Sequence, residues 1–333
     1  MERTIFLPIY ITTLDKIEKE YLNLLKQSTQ YASESLIILL NLPKDFLSLP
    51  KIKTWKMLQC ILSEIYVFCF SLSWNYDKPF LDINVIINNF CNYNVIKNLH
   101  SPETVYYILT KDVEKFNNHD NLDLKLVKFN ETDWHSDYCD LKLDLNRDES
   151  ATIKFRENEV DQYECVALGG TFDHLHVGHK ILLTVALWIT RKILRCGVSV
   201  LDEVSIKKKA GYEGMESLDF RKNSVLKFLK LMKVDSSFEM DVFDLLDAFG
   251  PTKDDPNIEA VIGSLETKRG CEAINEVRKS NNLALIDILI IDVISKDSVK
   301  ILESEDMGNL KISSSKLRLY LLEKVKKTTQ KRD

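Results

Sequence analysis

Three of the chain's six histidines, His174, His176 and His179, lie within six residues, in the run Leu168-Gly169-Gly170-Thr171-Phe172-Asp173-His174-Leu175-His176-Val177-Gly178-His179-Lys180. An apolar segment, 163–167, leads into it and reads as a buried strand, after which two glycines let the backbone turn and approach a ligand closely. With a helix beginning near Leu175, His176 and His179 stand three residues apart on its first turn and face the same way. Gly178 keeps the surface between them low, and the free N–H groups and partial positive charge of a helix N-terminus favour an anion. Thr171 adds a hydroxyl. Imidazole, hydroxyl and backbone donors converging on one small volume describe a phosphate site. The competing readings are a histidine-rich turn and a metal site, and the second is short of ligands, because the sequence holds no CxxC pair and no other histidine-rich segment.

Three further stretches carry groups of the right kind. Ser313-Ser314-Ser315-Lys316-Leu317-Arg318, preceded by Ile312, opens the last predicted helix. Its hydroxyls and first N–H groups, with Lys316 or Arg318 for charge, could hold a polyphosphate tail, although on these residues alone an ordinary helix cap is the commoner reading. Lys207, Lys208 and Lys209 form a cluster that reads equally as a phosphate contact or a solvated face. Gly250 and Pro251, within Leu245-Leu246-Asp247-Ala248-Phe249-Gly250-Pro251-Thr252, mark a turn.

The first run resembles the HxGH signature of the nucleotidyltransferase superfamily, and the longer string GGTFDHLHVGHK is similar to that of the eukaryotic-type phosphopantetheine adenylyltransferases in their fungal-like monofunctional form. ISSSKLR is similar to the superfamily's second motif, and 245–275 to a region specific to this family. The resemblance covers roughly 163–322, with a fainter likeness before it. It implies transfer of AMP from ATP to 4′-phosphopantetheine in coenzyme A biosynthesis, giving dephospho-coenzyme A and pyrophosphate, with Mg²⁺ arriving on ATP and no dedicated metal cage. By the same resemblance His176 and His179 serve the α- and β-phosphates. Thr171 lies between attacking and α-phosphate, and one of Lys207, Lys208 and Lys209 meets the attacking phosphate. Gly169, Gly170, Phe172 and Asp173 join the nucleotide side, as do Ser264, Glu266, Thr267, Arg269 and Gly270, then Ser313, Ser314, Ser315 and Arg318. Asn275 and Arg278 are weaker carry-overs. HxGH is shared with other adenylyl- and cytidylyltransferases, so these stay open as alternatives, as does a non-catalytic subunit of a coenzyme A-synthesising complex. A GxxxxGK[ST] string is absent, so 3′-phosphorylation of the product is expected to need another polypeptide, for which the N-terminal half is a docking surface.

The elements that must position these residues follow from periodicity. After the signature, helices at 180–190, 218–232, 269–279 and 314–325 alternate with strands at 195–200, 238–242, 260–263 and 284–291. Such alternation predicts a doubly wound parallel sheet, the Rossmann-like nucleotidyltransferase fold, with ligands at the carboxyl ends of its strands. Before it, strands at 4–11, 35–40, 83–87 and 105–109 and a helix at 14–25 predict a smaller α/β domain. The divisions are therefore an N-terminal domain at 1–130, an acidic linker at 131–161 with a solvated charge run, a catalytic domain at 162–326 and a basic tail at 327–333. All ten glycines lie at or after Gly169, which makes the N-terminal half a poor nucleotide site. Its asparagines Asn84, Asn88, Asn89, Asn92, Asn94 and Asn98 are given no chemistry.

Composition bounds the rest. The 333 residues leave room for two domains. A net charge of −5 argues against a nucleic-acid partner. Seven unpaired-looking cysteines suit a reducing compartment, and no signal peptide or spanning helix is predicted. The expectation is a soluble cytoplasmic enzyme, with the nucleus as a second location.

Overall fold

The computed structural model describes residues 2–88, 90, 103–116, 124–130, 139–143, 152–153, 160–232, 238–292 and 313–329. Ile312, Cys91, Asn89, Asn92, Asn94, Asn98, the end of the basic tail at 330–333 and most of the expected linker lie outside them.

The chain opens with β1 (Glu2–Tyr10), β2 (Lys16–Ile17), α1 (Lys19–Tyr31), β3 (Ala32–Asn41), α2 (Lys44–Ser48), α3 (Lys51–Asn75), β4 (Asp82–Ile87), β5 (Thr104–Leu109), α4 (Val113–Phe116) and β6 (Lys125–Phe129). Two short strands follow, β7 (Leu141–Lys142) and β8 (Thr152–Ile153). The second half comprises β9 (Tyr163–Gly170), α5 (Val177–Ile189), β10 (Thr190–Ser199), α6 (Glu203–Lys207), α7 (Leu218–Met232), β11 (Glu239–Leu245), β12 (Ala260–Ser264), α8 (Lys268–Ser280), β13 (Asp287–Ile291) and α9 (Ser314–Thr329).

The first sheet has the order β4-β3-β1-β5-β6, all parallel. The second runs β11-β10-β9-β12-β13-β8, parallel except for β8. Without β8 the two orders are the same: the first strand lies central, the next two extend to one side, and the last two to the other. Each sheet therefore has a switch point, between β1 and β5 in one and between β9 and β12 in the other. The α/β reading with a Rossmann-like second half is what the molecule adopts.

Two expectations need correction. The helix predicted at 14–25 starts five residues later, at Lys19, because Lys16–Ile17 is drawn into a two-stranded ladder with Leu141–Lys142. That ladder also shows that 131–161 is more than a linker. Thr152–Ile153 adds an edge strand to the second sheet, Asp140 accepts from Lys16 Nζ at 2.6 Å and from the Lys19 N–H at 3.1 Å, and Asp161 accepts from the Lys51 N–H at 3.0 Å, capping α3. Asp140 and Asp161 are thus hydrogen-bonded while still reached by solvent, and the other acidic residues of the run lie outside the described residues.

Sequence reading also passed over α3, the longest helix. Among the described residues it is the one helix long and apolar enough to cross a membrane, and 89% of its most apolar window is buried inside the protein. It is a core helix, apolar on every face because it has neighbours on every face. It packs against α1 and β4 and, across the division between halves, against α5. Trp188 of α5 is wholly buried there, stacked on Phe46, with its indole N–H donating to Thr54 Oγ1 at 3.1 Å. One continuous apolar core consequently runs from Ile5 to Ile291 through both halves. A smaller one fills the other face of the second sheet, between Val261, Ile288 and Ile290 and the Cys271 and Ile274 side of α8.

Candidate active site

At the switch point between β9 and β12 the strand ends open into a cavity of about 1660 Å³. Its lining brings together Gly169 and Gly170 at the end of β9 with Thr171, Phe172, His176 and His179 beyond it, Lys209 after α6, Ser264 at the end of β12 with Glu266, Thr267 and Gly270 beyond it, and Ser313, Ser314, Ser315 and Arg318 at the start of α9. Asp173, Lys207, Lys208 and Arg269, named from sequence, do not line it, nor do Lys316 and the weaker carry-overs Asn275 and Arg278. Of the three lysines, Lys209 is the one that lines the cavity.

The turn between β9 and α5 is built differently from the glycine turn expected. Gly169 and Gly170 continue the strand, and the left-handed residues are Phe172 (φ 51°) and His174 (φ 45°). A Cβ at 169 would lie 2.9 Å from Leu245 Cδ2, so any larger residue there displaces the end of that side chain. Other groups hold the strained turn in place. His174 donates its N–H to Glu216 at 2.7 Å, and its ring nitrogen Nε2 bonds the Gly214 carbonyl at 2.7 Å. Arg221, buried, donates to the Thr171 and Ser199 carbonyls at 2.7 and 3.1 Å.

Asp173 is the hub behind this turn. Wholly buried, it accepts from the Glu216 N–H at 2.9 Å and forms a 2.5 Å ion pair with Arg318, while its carbonyl accepts from Ser314 Oγ at 2.7 Å. Arg318 also donates to the Ala210 carbonyl and to Ser315 Oγ. Its guanidinium holds α9 against the HxGH turn through three of its five N–H groups, and the residue also lines the cavity. Asn275 and Arg278 likewise face inward. Asn275 bonds both backbone groups of Ile286, and Arg278 donates to the carbonyls of Thr252, Asp255 and Ala284. Thr267 Oγ1 accepts from the Ser264 N–H at 3.0 Å and closes the capping box of the 3-10 turn Leu265–Thr267 that leads into α8.

His176 is the N-cap of α5 and His179 lies in its first turn; the two rings stack with centroids 3.8 Å apart. His176 Nδ1 accepts from the Gly178 N–H at 3.2 Å. Burial, aided by the neighbouring His179, His174 and Lys180, holds His176 well below 6.5, and burial opposed by Asp173 and Glu266 brings His179 down to about 4. Both rings are neutral at pH 7. With Nδ1 occupied as an acceptor, the proton of neutral His176 sits on Nε2, which makes that nitrogen a donor. His179 Nδ1 is buried with no hydrogen-bond partner among the described residues. The arrangement presents neutral donors and a helix N-terminus to an anion, with Lys209 as a cation at the rim. Among the described residues no three His, Cys, Asp or Glu side chains are grouped to hold a metal.

A parallel sheet with this order, and a histidine pair on the helix that follows its central strand, defines a Rossmann-like nucleotidyltransferase fold. No family model matches the chain. It is similar to the phosphopantetheine adenylyltransferase of Methanopyrus kandleri, 30% identical over 157 residues, 47% of this chain and 90% of the relative. To that of Saccharomyces cerevisiae it is 29% identical over 289 residues, 83% of this chain and 82% of the relative, a match long enough to run through both halves. An uncharacterised protein of Schizosaccharomyces pombe is 41% identical over 152 residues, 46% of either chain. The chain belongs to the phosphopantetheine adenylyltransferase family.

Proposed function

We propose that the protein transfers AMP from MgATP to 4′-phosphopantetheine, yielding dephospho-coenzyme A and pyrophosphate. An oxygen of the 4′-phosphate forms a bond to the α-phosphorus of ATP as the bond to the bridging oxygen breaks in line, and pyrophosphate departs with that electron pair. No covalent enzyme intermediate is needed. The work of the protein is to align the two anions and offset charge spreading over the phosphoryl oxygens. His176 and His179 donate to the α- and β-phosphates, the N-terminus of α5 adds its partial charge, and Mg²⁺ arrives with ATP as part of the substrate. Thr171 lies by the attacked phosphorus and Lys209 faces the acceptor's phosphate.

The observation that carries this reading is the stacked neutral histidine pair at a helix N-terminus, opening on a cavity at the sheet's switch point. Its volume, above the roughly 300–1,000 Å³ of a pocket for one drug-sized ligand, supports two substrates side by side. The family's named relatives support the choice of acceptor. The test incubates the purified protein with ATP and Mg²⁺ and either 4′-phosphopantetheine or nicotinamide mononucleotide. Pyrophosphate release with the first acceptor alone is expected. Release with the second alone reassigns the acceptor, and release with neither reduces the chain to a non-catalytic subunit.

A further inference from the structure

The N-terminal half has no part in the chemistry above, and beyond the ends of β2 and β5 its carboxylates are paired internally. Asp112, wholly buried, accepts from Tyr21 Oη at 2.6 Å and from Lys115 Nζ at 2.7 Å, and Glu18 pairs with Lys111 at 2.7 Å. One segment of that half nevertheless packs against the elements that carry the active site, touching α9, the turn before α5 and α5 itself. At the end of α3, the Trp74 ring lies 5.4 Å from Tyr320 of α9, with the Lys316 ammonium 4.9 Å above it. In the following turn Asp77 accepts from Tyr320 Oη, and Phe80 packs at 6.1 Å from His174 and 6.0 Å from Tyr320. At the start of β4, three acceptors converge on Lys180 of α5: Asp82 Oδ1 at 2.5 Å, the Ile83 carbonyl at 2.8 Å and Asn84 Oδ1 at 2.9 Å.

Lys180 is the residue after His179, its side chain is 5% exposed, and its three N–H donors are matched by those three acceptors. Its backbone N–H donates to the His176 carbonyl at 3.1 Å, closing the first turn of α5. One residue therefore joins the histidine turn, through its main chain, to the N-terminal sheet, through its side chain. Asp82 supplies the counter-charge, and with 52% of its side chain exposed it can be replaced without opening the core.

We propose that Asp82 is a positioning residue: acting through Lys180, it fixes the first turn of α5 and so the direction in which His176 and His179 face the cavity. The N-terminal sheet then serves as a scaffold for the catalytic helix. This rests on the adenylyl-transfer reading above, because it assigns the histidines their task.

The test compares the full-length protein with Asp82→Ala, Lys180→Met and the double variant. It measures kcat and KM for MgATP, thermal midpoint, and the imidazole ¹H–¹⁵N signals of the ligand-free proteins. Asp82→Ala is expected to lower kcat on the order of 10²-fold, the scale of a misplacement near 1 Å, with KM little changed. The double variant removes both charges and leaves an apolar side chain of similar volume, so its thermal midpoint recovers. Its kcat stays low, and His176 and His179 each give more than one set of imidazole signals where the parent gives one. A double variant that regains parental kcat with its stability shows the pair to be structural only and overturns the proposal, as does parental kcat in Asp82→Ala. Should the parent release no pyrophosphate, the adenylyl-transfer reading falls on its own. A single parental set of imidazole signals in the double variant still overturns the positioning role.

Discussion

The imidazoles of His176 and His179 stack with centroids 3.8 Å apart and planes inclined by 21°. Two protonated rings would repel strongly at that separation, so the stack belongs to the neutral forms that burial favours. Each neutral ring then carries one N–H with which it can donate toward an anion.

Replacing His179 by Ala removes one such donor where negative charge grows in the transition state. Turnover is expected to fall about 10²–10³-fold, roughly 2.7–4 kcal/mol. Pyrophosphate release measures it, with circular dichroism to show an unchanged fold. Near-parental turnover would remove His179 from the phosphate site.

The same ring makes stability depend on pH. His179 titrates near 4 when folded and near 6.5 when unfolded, so between those values the unfolded chain binds more protons. Its contribution is fully present above about 6.5 and is lost as pH falls through about 4. Urea unfolding at pH 7.5 and 4.5 should show a smaller loss of stability in His179→Gln than in the parent; equal losses would place the histidine in solvent.

Of the three adjacent lysines, Lys209 alone lines the cavity. Lys209→Ala should weaken use of the acceptor, seen in its KM and kcat, while Lys207→Ala and Lys208→Ala stay near parental values. An effect of Lys207→Ala or Lys208→Ala as large as that of Lys209→Ala would contradict this geometry.

Arg318 and Asp173 are a buried pair, 2% and 0% exposed. Arg318→Met should destabilise the protein by about 3–5 kcal/mol, because it strands a buried carboxylate. Combining it with Asp173→Leu should recover much of that loss in denaturant unfolding. A stable single variant with weakened ATP binding would instead return Arg318 to the triphosphate.

Because one core spans both halves, the full chain should unfold in a single transition, with the fluorescence change around buried Trp188 and far-ultraviolet dichroism superimposed. Two separated transitions would mean that the contact between α3 and α5 contributes little.

By itself the sequence determined the fold of the second half: strict alternation of helix and strand periods places its elements within a few residues, and HxGH with its neighbours is a local string whose spacing is fixed along the chain. It also marked the second and third motifs, which converge on one cavity. What it left open depends on partners distant in sequence. Whether a lysine at 207, 208 or 209 faces the cavity is set by how α6 ends, and whether Arg318 meets a ligand or Asp173 is set by packing across 145 residues. Helix α3 hid because burial on every side erases the amphipathic period that betrays a helix. Asn84, one of several asparagines in a polar patch, became a Lys180 acceptor only when β4 was laid beside α5. Local pattern encodes which elements form and which groups can do chemistry, but tertiary packing alone decides which of those groups are consumed in holding the fold and which are left to face a substrate.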